Sequence, residues 1–192
     1  MELIKYSTLR EEPWKNGLGT TRQIVIWPLD ADLSNFQWRV SAAAIIFPGH
    51  FSHYPGVSRS LSVLSGKSAS LKLGEEIKTL AYQGPVVSFD GGDHAEVLSA
   101  DGPVLDYNVM SRDESVKHEL FCKTLKQGEM YNRQGDFTLI TVFNGCELIF
   151  DCQVVRMAEY DSVLFTERDA VELVFNNGGE PTSMLITEVW NQ

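Results

Sequence analysis

Apolar and polar residues alternate most plainly over residues 36–46, FQWRVSAAAII, where Phe36, Trp38, Val40, Ala42, Ala44 and Ile46 fall on one side of an extended backbone. Arg39 and Ser41 then point to the opposite side. Residues 104–110 behave alike: Leu105, Tyr107 and Val109 share one face, while Asp106, Asn108 and Met110 share the other. Two such strands predict a sheet with one apolar face and one face carrying polar chemistry. Further strands are predicted over 20–27, 60–65, 68–73, 137–143, 147–150, 153–157, 162–166, 171–175 and 184–190, separated by Gly, Pro, Asn and Asp turns. So many short strands predict an all-β sandwich or barrel. Residues 113–125 fit neither period well, and helix and strand both stay open there.

The strand pattern also repeats. LSVLSG at 61–66 matches ITVFNG at 140–145, an offset of 79, and VSFDGGD at 87–93 matches VLFTERD at 163–169, an offset of 76; a three-residue difference in one loop reconciles them. Duplication of one β unit explains order and spacing together, with chance likeness between strands as the competing account.

Composition narrows the function classes. With 43% hydrophobic and 10% aromatic residues in 192, the chain can bury a real core in one domain or two small ones, so disorder is excluded. Net charge is -10 and no Lys/Arg cluster offers the footprint a polyphosphate backbone requires, which argues against nucleic acid as a partner. Residues 1–60 hold six basic and five acidic residues, so the acidity is concentrated beyond them, and arginines embedded in an acidic shell suggest selectivity for a small anion. The longest apolar run, Ala42 to Phe47, is too short to span a bilayer, and the opening MELIKY lacks a secretory lead, so a cytoplasmic protein without membrane attachment is expected. Cys122, Cys146 and Cys152 form no C-x-x-C pair and are read as small buried hydrophobes.

The unit of strand, glycine turn, strand, then Gly-Pro-Val and an apolar strand resembles a cupin, and two in tandem resemble a bicupin. Four ordered segments, PWKNGLGTTR at 13–22, FQWRVS at 36–41, FSHYPGVSR at 51–59 and DYNVMSR at 106–112, resemble the signature segments of the HutD/Ves family. The resemblance implies tandem RmlC-like jelly-roll barrels packed as one compact unit. It places a pocket-bearing barrel at 1–112 and a degenerate one at 113–192, with strands free to swap between them. Some positions depart from the family pattern: Gln23 stands where an acid is common, Ser58 where an acid precedes the arginine, and Tyr54 and Tyr107 replace phenylalanines.

Metal-binding cupins resemble the pattern G-x5-H-x-H-x3/4-E-x6-G. Anchored on Gly66, that pattern puts Arg59 in the glutamate slot and Ser52 and Tyr54, or His53 and Pro55, in the histidine slots. In the second half the glutamate slot is Thr138, and no histidine follows His118. A guanidinium cannot ligate a cation and repels it, so no metal and no other cofactor is expected. His50 and His53 form H-x-x-H, too loose a spacing to mean zinc and read as loop residues.

The resemblance puts Arg59 at the barrel mouth, where it can grip a carboxylate through two parallel hydrogen bonds; an ion pair with Asp106 is the structural alternative. Asp106, Asn108 and Met110 on one strand, and Arg39 and Ser41 on another, are candidate pocket walls, with Ser52 beside them. The loop carrying Lys15, Asn16 and Arg22 offers further polar contacts and Trp14 an apolar lid, while simple strand docking is its alternative. Asn16 and Gly17 read as a hairpin turn. Arg112 is read as a surface or inter-barrel ion pair. No G-x-S-x-G elbow or triad spacing supports nucleophilic catalysis.

The expected activity is metal-independent binding of a small anionic carboxylate metabolite with a regulatory role. Because the family resembled is associated with histidine utilisation, urocanate or a formylated or formimino-glutamate is implied. A metal-free cupin isomerase or hydrolase using Asp106 or His53 as base, and an interaction module with a vestigial pocket, are the rival readings. Homodimerisation is allowed but not required.

Overall fold

The computed structural model describes residues 1–14, 19–166 and 172–192. Its strands are β1 (Glu2–Ile4), β2 (Glu11–Pro13), β3 (Gly19–Trp27), β4 (Trp38–Ile45), β5 (Gly49–His50), β6 (Val57–Ser65), β7 (Ser68–Leu73), β8 (Glu76–Ala81), β9 (Val87–Asp90) and β10 (Ala95–Ala100). They continue with β11 (Val104–Arg112), β12 (Val116–Leu125), β13 (Met130–Asn132), β14 (Phe137–Val142), β15 (Cys146–Phe150), β16 (Gln153–Met157), β17 (Ser162–Phe165), β18 (Glu172–Asn176) and β19 (Thr182–Asn191). A 3-10 turn at Tyr6–Thr8 is the sole helical element among the described residues, so no described helix could cross a membrane.

The backbone divides into two compact units, one of Leu9–Lys117 and one of Met1–Thr8 with His118–Asn191. The first eight residues therefore join the C-terminal unit, because β1 pairs antiparallel with β17, Glu2 opposite Leu164. The first unit contains a six-stranded sheet, β2-β3-β4-β11-β6-β9, and a four-stranded sheet, β5-β10-β7-β8. The second contains β1-β17-β14-β19-β12 and β13-β18-β15-β16. From β6 to β11 and from β14 to β19 the connectivity is the same, with β4 lying beside β11 as β12 lies beside β19.

The sheets are open rather than closed into barrels. Among the described residues of the first unit, the large and small sheets are joined in hydrogen bonding by an isolated bridge, Val63 to Tyr82. Alternating patterning is satisfied as well by two facing sheets as by a barrel, since each strand needs one buried face either way. Ile45, Leu61 and Val63 of the large sheet meet Ala69, Leu71, Ala95 and Val97 of the small one. In the second unit Ile140, Val142, Val163 and Ile186 meet Leu148, Leu173 and Phe175. Each fully buried aliphatic or aromatic side chain contributes about 1.5–3 kcal/mol.

Gly66, in the β6–β7 turn, has φ +95°, and a Cβ there would lie 2.5 Å from the Pro103 carbonyl oxygen. Glycine is thus required at that turn. Residues 113–125, left open by sequence, hold strand β12: its alternation of buried Val116, Leu120 and Leu125 is interrupted by half-buried positions, which blurs either period.

Candidate anion-binding site

Register places the polar side chains. In the ladder of β4, β11 and β6, Met110 stands opposite both Arg39 and Arg59, Asn108 opposite Ser41 and Leu61, and Asp106 opposite Ala43 and Val63. Directly paired residues share a face, so Arg39, Ser41, Arg59, Asp106, Asn108 and Met110 all look into the first unit's interior. Trp38, Val40, Tyr107 and Val109 occupy the opposite, buried face. A cavity of about 570 Å³ opens on the polar side, lined by these six together with Ser52, Trp14, Thr21, Gln23, Glu12, His50, Phe51, Tyr54 and a few apolar neighbours.

Arg59 is 3% exposed. Its guanidinium packs over the rings of Phe51 and Phe89, 4.8 and 5.2 Å from their centroids, the two rings meeting edge to face beside it, and donates one long hydrogen bond of 3.3 Å to the Ser52 carbonyl oxygen. The Nε–H is buried without an acceptor. No ion pair joins Arg59 to a described carboxylate, so the pairing with Asp106 weighed from sequence is not formed. Burial pulls its pKa down to about 10, against the opposing field of Asp106, which leaves it charged at neutral pH.

Asp106 is fully buried, accepts a 2.9 Å hydrogen bond from the Ala43 amide through Oδ1, and leaves Oδ2 without a partner. Burial drives its pKa up to about 7, while the Ala43 amide, Arg59 and Arg39 pull the other way. Between roughly pH 4 and 7 the folded chain therefore holds a proton that the unfolded chain has released. The stabilisation is complete below 3.8, the ordinary value, and is lost as pH rises through about 7. Chemical denaturation of wild type and Asp106→Asn across pH 4 to 8 should show the wild type losing stability relative to the variant, by up to about 4 kcal/mol at 1.36 kcal/mol per unit. Parallel profiles would mean that burial does not govern this carboxyl.

Asn108, 8% exposed, leaves Oδ1 buried and unpartnered. Arg39 is held by its neighbours, donating 3.0 Å to Gln23 Oε1 and 3.1 Å to Ser41 Oγ, and burial lowers its pKa. Trp14 donates Nε1–H to Thr21 Oγ1 at 2.7 Å and lines the cavity.

Other sequence expectations are corrected. Arg22 does not line the cavity; it pairs with Glu11 at 2.8 Å across β2 and β3. Lys15 and Asn16, with the turn proposed at Asn16 and Gly17, lie outside the described residues. Ser58 faces away from Arg59 and bonds Asp113 at 2.6 Å, because adjacent strand residues point oppositely, so the missing acid there does not touch the guanidinium. Arg112 donates to the carbonyls of Phe36 and Ser34, at 2.7 and 2.6 Å, and stacks on the Phe36 ring. Cys146 is buried, but Cys122 is half-buried and Cys152 exposed. His50 approaches Glu96 at 3.8 Å at the surface, and His53 and His94 stand with ring centroids 6.1 Å apart.

Sequence reasoning missed Phe89 as the second ring under Arg59, although the repeat pairs it with Phe165. In the second unit Thr138 takes the place of Arg59 and Glu188 that of Met110, with Phe165 beside them. There Arg133 stacks on Phe165, 4.9 Å from its centroid, and donates to Thr138 at 2.9 Å. Glu188 accepts from Tyr131, from Thr138 at 2.6 Å and from the amides of Gln134 and Gly135 at 3.1 and 2.8 Å. Among the described residues the second interior leaves no buried side-chain N or O atom without a partner, whereas the first leaves Arg59 Nε, Asp106 Oδ2 and Asn108 Oδ1 unsatisfied.

Comparison with known proteins is consistent with this arrangement. The HutD family profile matches residues 6–182. The Ves protein of Escherichia fergusonii is 30% identical over 118 residues, 59% of this chain, and the chain spans 61% of that relative's length. The structure of HutD from Pseudomonas fluorescens SBW25, in a formate condition, superposes with TM-score 0.83 at 20% identity, covering 100% of this chain and 98% of that one. A cupin 2 conserved barrel domain protein from Leptotrichia buccalis superposes with TM-score 0.64 at 9% identity, over 98% and 96% of the two chains, which is a likeness of cupin-type fold.

Proposed function

We propose, from the premise that this chain belongs to the HutD family, that its first unit is a metal-independent cupin that binds a small carboxylate metabolite and reports it to a catabolic pathway. The two units of like connectivity are read as tandem cupins, the second degenerate. The carrying observation is the set of buried atoms left without a partner on residues that line the cavity: Arg59 Nε, Asp106 Oδ2 and Asn108 Oδ1. A buried polar atom without a partner costs about 1–3 kcal/mol, and a ligand that satisfies all three recovers that cost. Arg59 supplies the charge that selects a carboxylate, and Asn108 can donate or accept toward a second polar group.

The donor set does not suit the metal that many cupins hold. The polar face presents two guanidiniums, one carboxyl and one amide, and no histidine shares its strands β4, β6 and β11. A divalent ion against that face would meet Arg59 and Arg39, with Asp106 as the one carboxylate among β4, β6 and β11.

The family association favours an acid of histidine breakdown, such as urocanate or a formylated or formimino-glutamate. Native mass spectrometry of the protein purified from its own host is expected to retain such an acid, one per chain. Recovery of a tightly held transition metal in its place would overturn the reading. Asp106, with one oxygen left without a hydrogen-bond partner, could instead act as a general base; turnover of a candidate acid by chelator-treated protein, abolished in Asp106→Asn, would establish an enzyme.

A further inference from the structure

We propose that an acid enters this cavity together with one proton, carried on Asp106 as a hydrogen-bond donor to the bound molecule. The inference rests on the carboxylate-binding reading and deepens it. An ionised carboxylate can only accept hydrogen bonds, and so can the incoming acid's. Asp106 cannot turn out to solvent to resolve the conflict: Oδ1 is tied to the Ala43 amide on the neighbouring strand, and the side chain has no solvent exposure, so Oδ2 stays buried without a partner on a residue that lines the cavity. Two acceptors meeting in a poorly solvated space repel each other and leave two unsatisfied oxygens. Adding a proton from solvent to Oδ2 turns it into a donor and removes the repulsion in one step.

The surrounding charges favour this outcome. Arg59 from β6 and Arg39 from β4 are the cations that oppose protonation of Asp106 while the cavity holds only water. Arg39 is already engaged by Gln23 and Ser41, which leaves Arg59 as the guanidinium with an open N–H. Once Arg59 is claimed by a ligand carboxylate, its field is shared, and Asp106 loses much of its reason to ionise. The remaining titratable groups on the lining are Glu12 from β2, His50 from β5 and Tyr54 from the segment before β6. Glu12 and His50 are solvent-exposed, where water screens them. Linkage then requires that binding weaken as pH rises above the range where Asp106 holds its proton.

The test is calorimetric titration of the whole chain with formate, acetate, glutarate and urocanate, at pH 8 in two buffers of different ionisation enthalpy. Uptake of close to one proton per bound anion is expected, with Kd rising about tenfold per pH unit on the alkaline side. In Asp106→Asn the uptake should vanish and Kd become flat with pH, because an amide N–H takes the donor's place. His50→Gln and Glu12→Gln should keep the slope. Binding with equal heats in both buffers overturns the proton coupling and leaves the carboxylate site standing, as does a slope lost in His50→Gln. Failure of all four acids to bind overturns both. The buffer comparison needs only the wild type, so it decides even where a variant does not fold.

Discussion

Calorimetric titration of Arg59→Ala with a carboxylate that binds the wild type should show affinity lower by about 2–5 kcal/mol, roughly thirtyfold to several thousandfold. The size follows from where the charge sits. A guanidinium packed over Phe51 and Phe89 and 3% exposed is held largely out of water, so its attraction for an anion is little screened and its geometry is fixed before the ligand arrives. Arg59→Lys should not restore binding, because an ammonium lacks both the paired donors and the flat face that packs on an aromatic ring. Stability should move the other way. With one long hydrogen bond and an unsatisfied Nε, Arg59 gains little for its desolvation, so Arg59→Met is expected to leave the melting temperature unchanged or raise it while removing binding. Wild-type affinity in Arg59→Ala would sink the assignment.

The largest stability loss is expected in the second unit, at Glu188→Ala. That carboxylate is buried and collects hydrogen bonds from Tyr131, Thr138 and two backbone amides. Removing it strands four donors in the interior at once and opens a void beside Phe165. Breaking a buried charged network of this kind costs about 3–5 kcal/mol, a large part of a typical domain's total stability of about 5–15 kcal/mol. Urea denaturation should show the loss, with ligand affinity in any variant that still folds unchanged, since the cavity belongs wholly to the first unit. A loss below about 1 kcal/mol would mean that solvent reaches the site and replaces the carboxylate, as at an ordinary surface position.

Much of this architecture was legible in the chain because its strands obey a strict two-residue rule. The assignment of Arg39 and Ser41 to one face and Trp38 and Val40 to the other needed nothing beyond alternation, and the ladder through Met110 confirms it. β8, by contrast, was missed: its Glu76–Ala81 stretch is largely solvent-exposed at a sheet edge, so no apolar face marks it. Arg22, read from a loop resemblance, pairs with Glu11, since such a resemblance says which residues are near one another but not which way they turn. The aromatic pair under Arg59 was half-visible: Phe51 stood in a recognised segment, whereas Phe89 became meaningful only once β9 was known to pair with β6 at Arg59. The open oxygens of Asp106 and Asn108 could not be read from sequence at all, because an unmade hydrogen bond depends on every surrounding atom.

The pairing of β1 with β17 sets a timetable for synthesis. Ribosomes make Glu2–Ile4 long before Ser162–Leu164, the stretch it pairs with. The first unit, whose segments run consecutively from Leu9 to Lys117, can collapse while the rest is still being translated, yet the leading strand must wait unpaired until the late hairpins emerge. A bulky fusion ahead of residue 2 would crowd that delayed closure and leave the β17 edge bare as a template for intermolecular pairing, whereas a fusion after Gln192 would not interfere with the β1 pairing.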